Sequence, residues 1–276
     1  MKKAIIAIED KRFYEHNGVD ATGIARAFVT NLGDSGRQGA STITQQYVRN
    51  SLAERGYLEG DADQVSAATE QTTERKLREI KYALALEKTQ SKDEILTGYL
   101  NIAPFGPITY GVEAASQRYF SKSASELNYL ESALLAGLVQ SPVQYDPLAH
   151  PDAAKERRDT VLAAMLEQGV VTQEEYDEGT ATTIESMLHP SISSEGCSGA
   201  ESSKAYFCDY VLAQFLEDPT FGETRTERER MLKTQGITIR TTMDPTMQDA
   251  AYSSLTNTIP VGDPSGLNDA LVSLDP

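Results

Sequence analysis

The sequence predicts a mainly α chain that closes with a short α/β segment. Three observations carry that expectation. Apolar residues recur at helical spacing through most of the first 180 positions. Hydroxyl and acidic residues stand where they can cap the starts of those segments. The clearest alternation of β-branched and polar residues, ITIRTT at 237–242, comes late and alone.

Each element can be justified in turn. Residues 4–30 read as helical, with the spacing interrupted at Gly18 and Gly23, and GDSGRQG at 33–39 reads as a loop. A helix is expected to start at Ser41-Thr42, whose hydroxyls can cap free N–H groups, and to run through QQYVRNSL. Residues 54–73 are acidic and without a clear period, and are expected to form a surface insertion. TERKLREIKYALALEKT carries an apolar stripe at Leu77, Ile80 and Leu84. Ser91 with Glu94 forms a capping-box pattern ahead of KDEILTGYLN. Further helices are expected at 124–139, 152–168 and 172–179. Residues 189–203, rich in Ser, Gly and Pro, read as linking sequence; DPTMQDAAYSSL reads as a short helix and DALVSLDP as a strand.

With 25 Lys+Arg against 41 Asp+Glu, the formal charge of −16 argues against a duplex nucleic-acid binder. It also argues against adhesion to an anionic bilayer through charge alone. No run of 18 apolar residues is present, so no spanning helix is expected. Cys197 and Cys208 lie outside any metal-ligand pattern; one disulfide and two free thiols both remain open. HExxH, GxSxG, GxxxxGK[ST] and SxxK motifs are absent.

Three stretches could carry chemistry. In AIIAIEDKRFYEHNGVD, an apolar run delivers Glu9 and Asp10. In a continuous helix Phe13 and His16 would stand on Glu9's side, shielding and orienting a general base. The alternative is a surface Glu with Phe13 in the core. QGASTITQQYVRN gathers Ser41, Thr42, Thr44, Gln45, Gln46 and Arg49, which could hold sugar hydroxyls or phosphate oxygens, or simply line the polar face of a capped helix. In ERKLREIK, Arg75 and Lys76 flank Glu79 at helical spacing. They could meet a diphosphate while Glu79 positions a cation or an ammonium group, or form a solvated ion-pair face.

Taken together, EDKRFYEHNG, GASTITQQYVRN, RKLRE, SKDEILTGYLNIAPFG and the 111–147 stretch resemble the successive motifs of the peptidoglycan glycosyltransferases, the family-51 domain of class A penicillin-binding proteins. The resemblance implies a lysozyme-like glycosyltransferase domain over 1–180 with a smaller membrane-facing lobe. It then implies a linker over 181–235 and, at 236–276, the start of a truncated transpeptidase region. The chain looks cut at both ends, and lacking SxxK it should show no transpeptidase activity.

By that resemblance Glu9 is the general base and Glu79 the second catalytic glutamate. Asp10, Phe13, His16, Gly39, Ser41, Thr42, Thr44, Gln45, Gln46, Arg49, Arg75, Lys76, Tyr99 and Asn101 bind substrate. The implied reaction polymerises lipid II into β-1,4-linked glycan and releases undecaprenyl diphosphate with inversion. The implied place is the outer face of the bacterial cytoplasmic membrane, with lipid II, the growing strand, the membrane surface and other cell-wall synthesis proteins as partners. The resemblance makes no cofactor certain and leaves room for a divalent cation, Mg2+. Three positions depart from the pattern: Arg49 stands for a usual Lys, Ala40 for a Gly, and Pro104 for an aromatic. A lysozyme-like glycan hydrolase and a non-catalytic scaffold are the competing readings.

Overall fold

A computed structural model describes residues 1–23, 41–191, 196–235, 237–267 and 269–271. Gly39 and the expected 33–39 loop lie outside the described residues. The described chain is mainly helical and divides into two compact units, Met1–Ile192 and Ser193–Pro276.

The first unit is built mainly from α1 (Lys2–Glu9), α2 (Ile43–Glu59), α3 (Ala62–Thr69), α4 (Thr73–Leu86), α5 (Lys92–Ile102), α6 (Val112–Phe120), α7 (Tyr129–Leu138), α8 (Pro151–Glu167) and α9 (Gln173–Ala181). Helix α7 is its centre. Every residue from Leu130 to Leu138 is buried, as expected of a helix that is apolar around its whole circumference. It packs on α1 and α8, and α8 packs on α9. Its one buried carboxylate, Glu131, closes a capping box with Asn128 and pairs with Lys122 at 2.6 Å. Helix α2 packs on α3, α4 and α5, and its first turn, Ile43 to Gln46, is buried.

Several boundaries follow their capping residues. Thr42 starts α2 by accepting the N–H of Gln45 at 3.2 Å, and Ser91 with Glu94 forms the expected capping box of α5. Others depart from expectation. Helix α1 stops at Glu9, because Asp10 turns out of helical geometry at φ −156°. The expected 124–139 helix divides into a short 3-10 turn, Ala124–Glu126, and α7, each with its own capping box. Residues 54–73 are largely helical: α2 continues to Glu59, and Asp61 caps α3 by accepting the N–H of Gln64 at 2.9 Å. The apolar stripe of α4 faces outward, with Leu77 63% and Leu84 42% exposed, while Glu79 is 1% exposed.

Gly18 shows why the loop after α1 needs a glycine. Its φ is +88°, and a Cβ there would meet the carbonyl oxygen of Ala83 at 2.8 Å. The close approach docks the loop on α4, and Thr42 donates to the Gly18 carbonyl at 2.8 Å.

The second unit holds α10 (Ala205–Glu217), α11 (Arg225–Thr234) and α12 (Pro245–Thr258). Cys197 and Cys208 form a disulfide with Cα atoms 5.5 Å apart. Phe215 stacks on Phe221 at 4.4 Å, and buried Arg228 donates to the carbonyls of Leu216 and Gly222. The span expected as linker therefore contains two helices. Residues 237–242 are not a strand: among the described residues there is no strand for them to pair with. The expected C-terminal strand falls mostly outside the described residues, and 269–271 are irregular. No helix of the described residues is long and apolar enough to cross a membrane.

Candidate active site

Where α1 ends, Glu9 enters a cleft of about 600 Å³ lined by Asp10, Arg12, Ser41, Thr42, Gln46, Arg49 and Gln140 among others, with Arg157, Thr160 and Glu167 contributed by α8. Its side chain is 15% exposed. Gln46 donates its amide N–H to Glu9 Oε2 at 2.7 Å, and the Arg157 guanidinium lies 3.7 Å from Oε1. Burial raises the Glu9 carboxyl above its usual range, while the Gln46 hydrogen bond, Arg157 and Arg49 pull the other way. A carboxylate raised in this way is better matched to accepting a proton near neutral pH.

Asp10, Phe13 and His16 have a different place from the expected one. Because α1 stops at Glu9, helical spacing no longer puts Phe13 and His16 beside it. His16 pairs instead with Asp10, its Nε2 2.9 Å from Oδ2, and both side chains are buried. Asp10 Oδ2 also accepts the N–H of Ile43 at 3.0 Å, which pins the amino end of α2 next to Glu9. Phe13 is fully buried in the core, edge-on to His16 and under Lys92.

The second acid, Glu79 on α4, is tied to the start of α2 through Lys76. Glu79 accepts from Arg75 and, at 3.3 Å, from Lys76. Lys76 also donates to Ser41 Oγ at 2.8 Å and Gln45 Oε1 at 2.7 Å, so α4 is laced to the amino end of α2. Burial lowers the Lys76 ammonium below its ordinary value, and the Glu79 charge opposes that shift. Arg75 and Lys76 open on a polar hollow of about 530 Å³ with Thr69, Gln71, Thr72, Thr73 and Arg49. Arg49 lines both this hollow and the Glu9 cleft. Among the described residues Arg49 makes no ion pair within 4.0 Å, so its charge is available to an incoming anion.

The remaining expected residues divide between support and periphery. Thr44 is fully buried and donates to Glu87, tying α2 to the end of α4, so it does not line the cleft. Tyr99 is fully buried and donates to Gln46 Oε1 at 2.9 Å. Burial puts its phenol well above the ordinary value. Asn101 is exposed and lines neither cavity.

The residue missed in the sequence is Arg157, which lies 148 positions from Glu9. The one local signal for it is Gly137 on α7: a Cβ there would stand 3.0 Å from Arg157 Cγ, so glycine clears the arginine's route. Among the described residues no group of three or more His, Cys, Asp or Glu side chains is placed to hold a metal ion. Glu79, expected to position a cation or an ammonium group, is paired with the Lys76 ammonium and the Arg75 guanidinium.

A half-buried carboxylate in a cleft, one helix end away from a cationic hollow, suits transfer of a group from an anionic leaving group. This chain belongs to the transglycosylase family, whose Transglycosylase model matches residues 1–166, and is a glycosyltransferase domain of the class A penicillin-binding protein kind. It is 36% identical to penicillin-binding protein 2D of Bacillus subtilis (strain 168) over 277 residues, covering 99% of this chain and 36% of that protein. Penicillin-binding protein 1A of Clostridium perfringens (strain 13 / Type A) is 36% identical over 267 residues, 90% of this chain and 36% of the relative. Penicillin-binding protein 1A of Escherichia coli (strain K12) is 36% identical over 261 residues, 94% and 27%. The chain thus spans about a third of the length of these curated relatives.

Proposed function

We propose that this domain polymerises lipid II into β-1,4-linked glycan and releases undecaprenyl diphosphate in a single inverting displacement. Glu9 takes the proton from the acceptor sugar's 4-hydroxyl as that oxygen attacks the anomeric carbon of the donor. The bond from that carbon to the diphosphate breaks, and the electron pair leaves with the diphosphate. A positioned base of this kind supplies roughly 10²–10⁴-fold. Arg49, Arg75 and Lys76 meet the charge that develops on the leaving group, and Glu79 holds the two α4 cations in place. Ser41 and Gln46 line the Glu9 cleft, and Gln45 steadies Lys76.

The observation that carries this reading is Arg49, a cation that lines both the Glu9 cleft and the Arg75–Lys76 hollow and, among the described residues, makes no ion pair within 4.0 Å. A hydrolase would have no diphosphate for that hollow to receive. Tyr57, Leu58, Leu77, Tyr82 and Leu84 are exposed apolar side chains on α2 and α4. They suit a lobe that faces the bilayer in which a lipid-linked donor resides. The corresponding site would work at the outer face of the cytoplasmic membrane. Lacking SxxK, the chain should not be acylated by penicillin.

The test is lipid II incubated with the protein and resolved on a gel, with Glu9→Gln alongside. A ladder of long glycans that disappears in the folded Glu9→Gln variant is the expected result. Digestion of existing glycan would make the protein a hydrolase, and no change in either substrate would leave it a scaffold.

A further inference from the structure

Tyr99 is a fully buried phenol that the reaction as described does not use. It projects from α5 and donates to Gln46 Oε1 at 2.9 Å. The other end of the same amide donates from Nε2 to Glu9 Oε2 at 2.7 Å. An amide has one accepting end and one donating end, so a donor fixed at its oxygen turns its N–H groups the opposite way. Hydrogen bonds in such a chain also polarise one another, so the phenol strengthens the bond that reaches the carboxylate. The arrangement is rigid because Tyr99 and Gln46 are both buried and α2 packs directly on α5.

We infer that Tyr99 is a positioning residue for the transfer reaction, acting through Gln46 to orient and stabilise the ionised form of Glu9. The inference rests on the assignment of Glu9 as the base. Tyr99 has no place in either cavity lining and so meets the substrate in neither. The other charged groups facing Glu9 are Asp10 at the end of its own helix, Arg49 on α2 and Arg157 on α8. None of these touches the Gln46 amide by a hydrogen bond, so the Tyr99 route is separable from theirs.

The experiment follows kcat and kcat/KM against pH, with lipid II as substrate, for the wild type, Tyr99→Phe, Gln46→Leu and the double variant. Losing one hydrogen bond that favours the ionised acid moves the acid limb of kcat/KM upward by about half to one pH unit. It lowers kcat by roughly three- to tenfold at a pH on that limb, with KM nearly unchanged. Gln46→Leu moves the limb at least as far, and Tyr99→Phe adds nothing once Gln46 is gone. A fluorotyrosine at position 99, of nearly the same shape but a stronger donor, moves the limb downward. This keeps the test available should Tyr99→Phe fold poorly. An acid limb that stays in place in Tyr99→Phe or with fluorotyrosine overturns the inference, as does an effect that adds in full to that of Gln46→Leu. Glu9→Gln separates the two levels. If it retains turnover, the base assignment fails; if it is inactive while the Tyr99 variants titrate like wild type, only the role of Tyr99 fails.

Discussion

Replacing Glu79 with Gln keeps the shape of a side chain that is 1% exposed and removes the charge serving both Arg75 and Lys76. Breaking a fully buried ion pair by deleting one partner costs about 3–5 kcal/mol. Lys76 keeps 32% of its side chain exposed and retains Ser41 and Gln45, so water and those acceptors recover part of that loss. We expect about 2 kcal/mol of destabilisation, a fall in Tm of roughly 4–8 °C for a unit of this size. The alkaline limb of turnover should also shift. Burial already lowers the Lys76 ammonium and Glu79 opposes that shift, so without Glu79 the lysine loses its proton at lower pH and the rate falls earlier as pH rises. The assay is thermal denaturation and a pH–rate profile on Glu79→Gln, Lys76→Met and the double variant. The double variant should be less destabilised than the sum of the singles by about 1 kcal/mol or more. A Glu79→Gln cost below about 0.5 kcal/mol with additive singles would mean that the cluster is an ordinary screened surface pair, and the reasoning would fail.

Glu9, whose carboxyl is raised above 4.5 by burial, should set an acid limb in kcat/KM that lies above that value and vanishes with Glu9→Gln. The same shift fixes the sign of a stability effect. Glu9 favours the folded state below pH 4.5, and that contribution is lost as pH rises through its folded-state value, so denaturation at neutral pH should show Glu9→Gln losing little or no stability. Gly18→Ala should cost about 1–3 kcal/mol in chemical denaturation, because φ is +88° and the new methyl meets the Ala83 carbonyl at 2.8 Å. Cys208→Ser should destabilise the second unit by about 2–3 kcal/mol while turnover stays at the wild-type rate, since the bridge closes an 11-residue separation outside the unit that holds Glu9.

The helical architecture was legible because caps and periodicity are local: Thr42 and Ser91 with Glu94 stand where their helices begin. The pairing of Arg75 and Lys76 with Glu79 was legible for the same reason, since helical spacing forces it. Three features were not. The end of α1 is set by Asp10 pairing with His16 and the Ile43 N–H, contacts that periodicity cannot see. ITIRTT has strand-forming residues, but a strand is stable only against a partner. Arg157 reaches Glu9 only because α8 packs on α7 at Gly137, a long-range fact with a one-residue trace.

Helix α4 carries its ion-pairing carboxylate inward and two of its leucines outward, the inverse of a water-soluble amphipath. Protein engineers who swap surface leucines for polar residues to improve handling would start at Leu77 and Leu84. Under the proposed bilayer-facing role of this lobe, such edits should raise yield in detergent-free buffer, and on lipid vesicles the edited protein should turn over more slowly than the wild type while matching it in free solution.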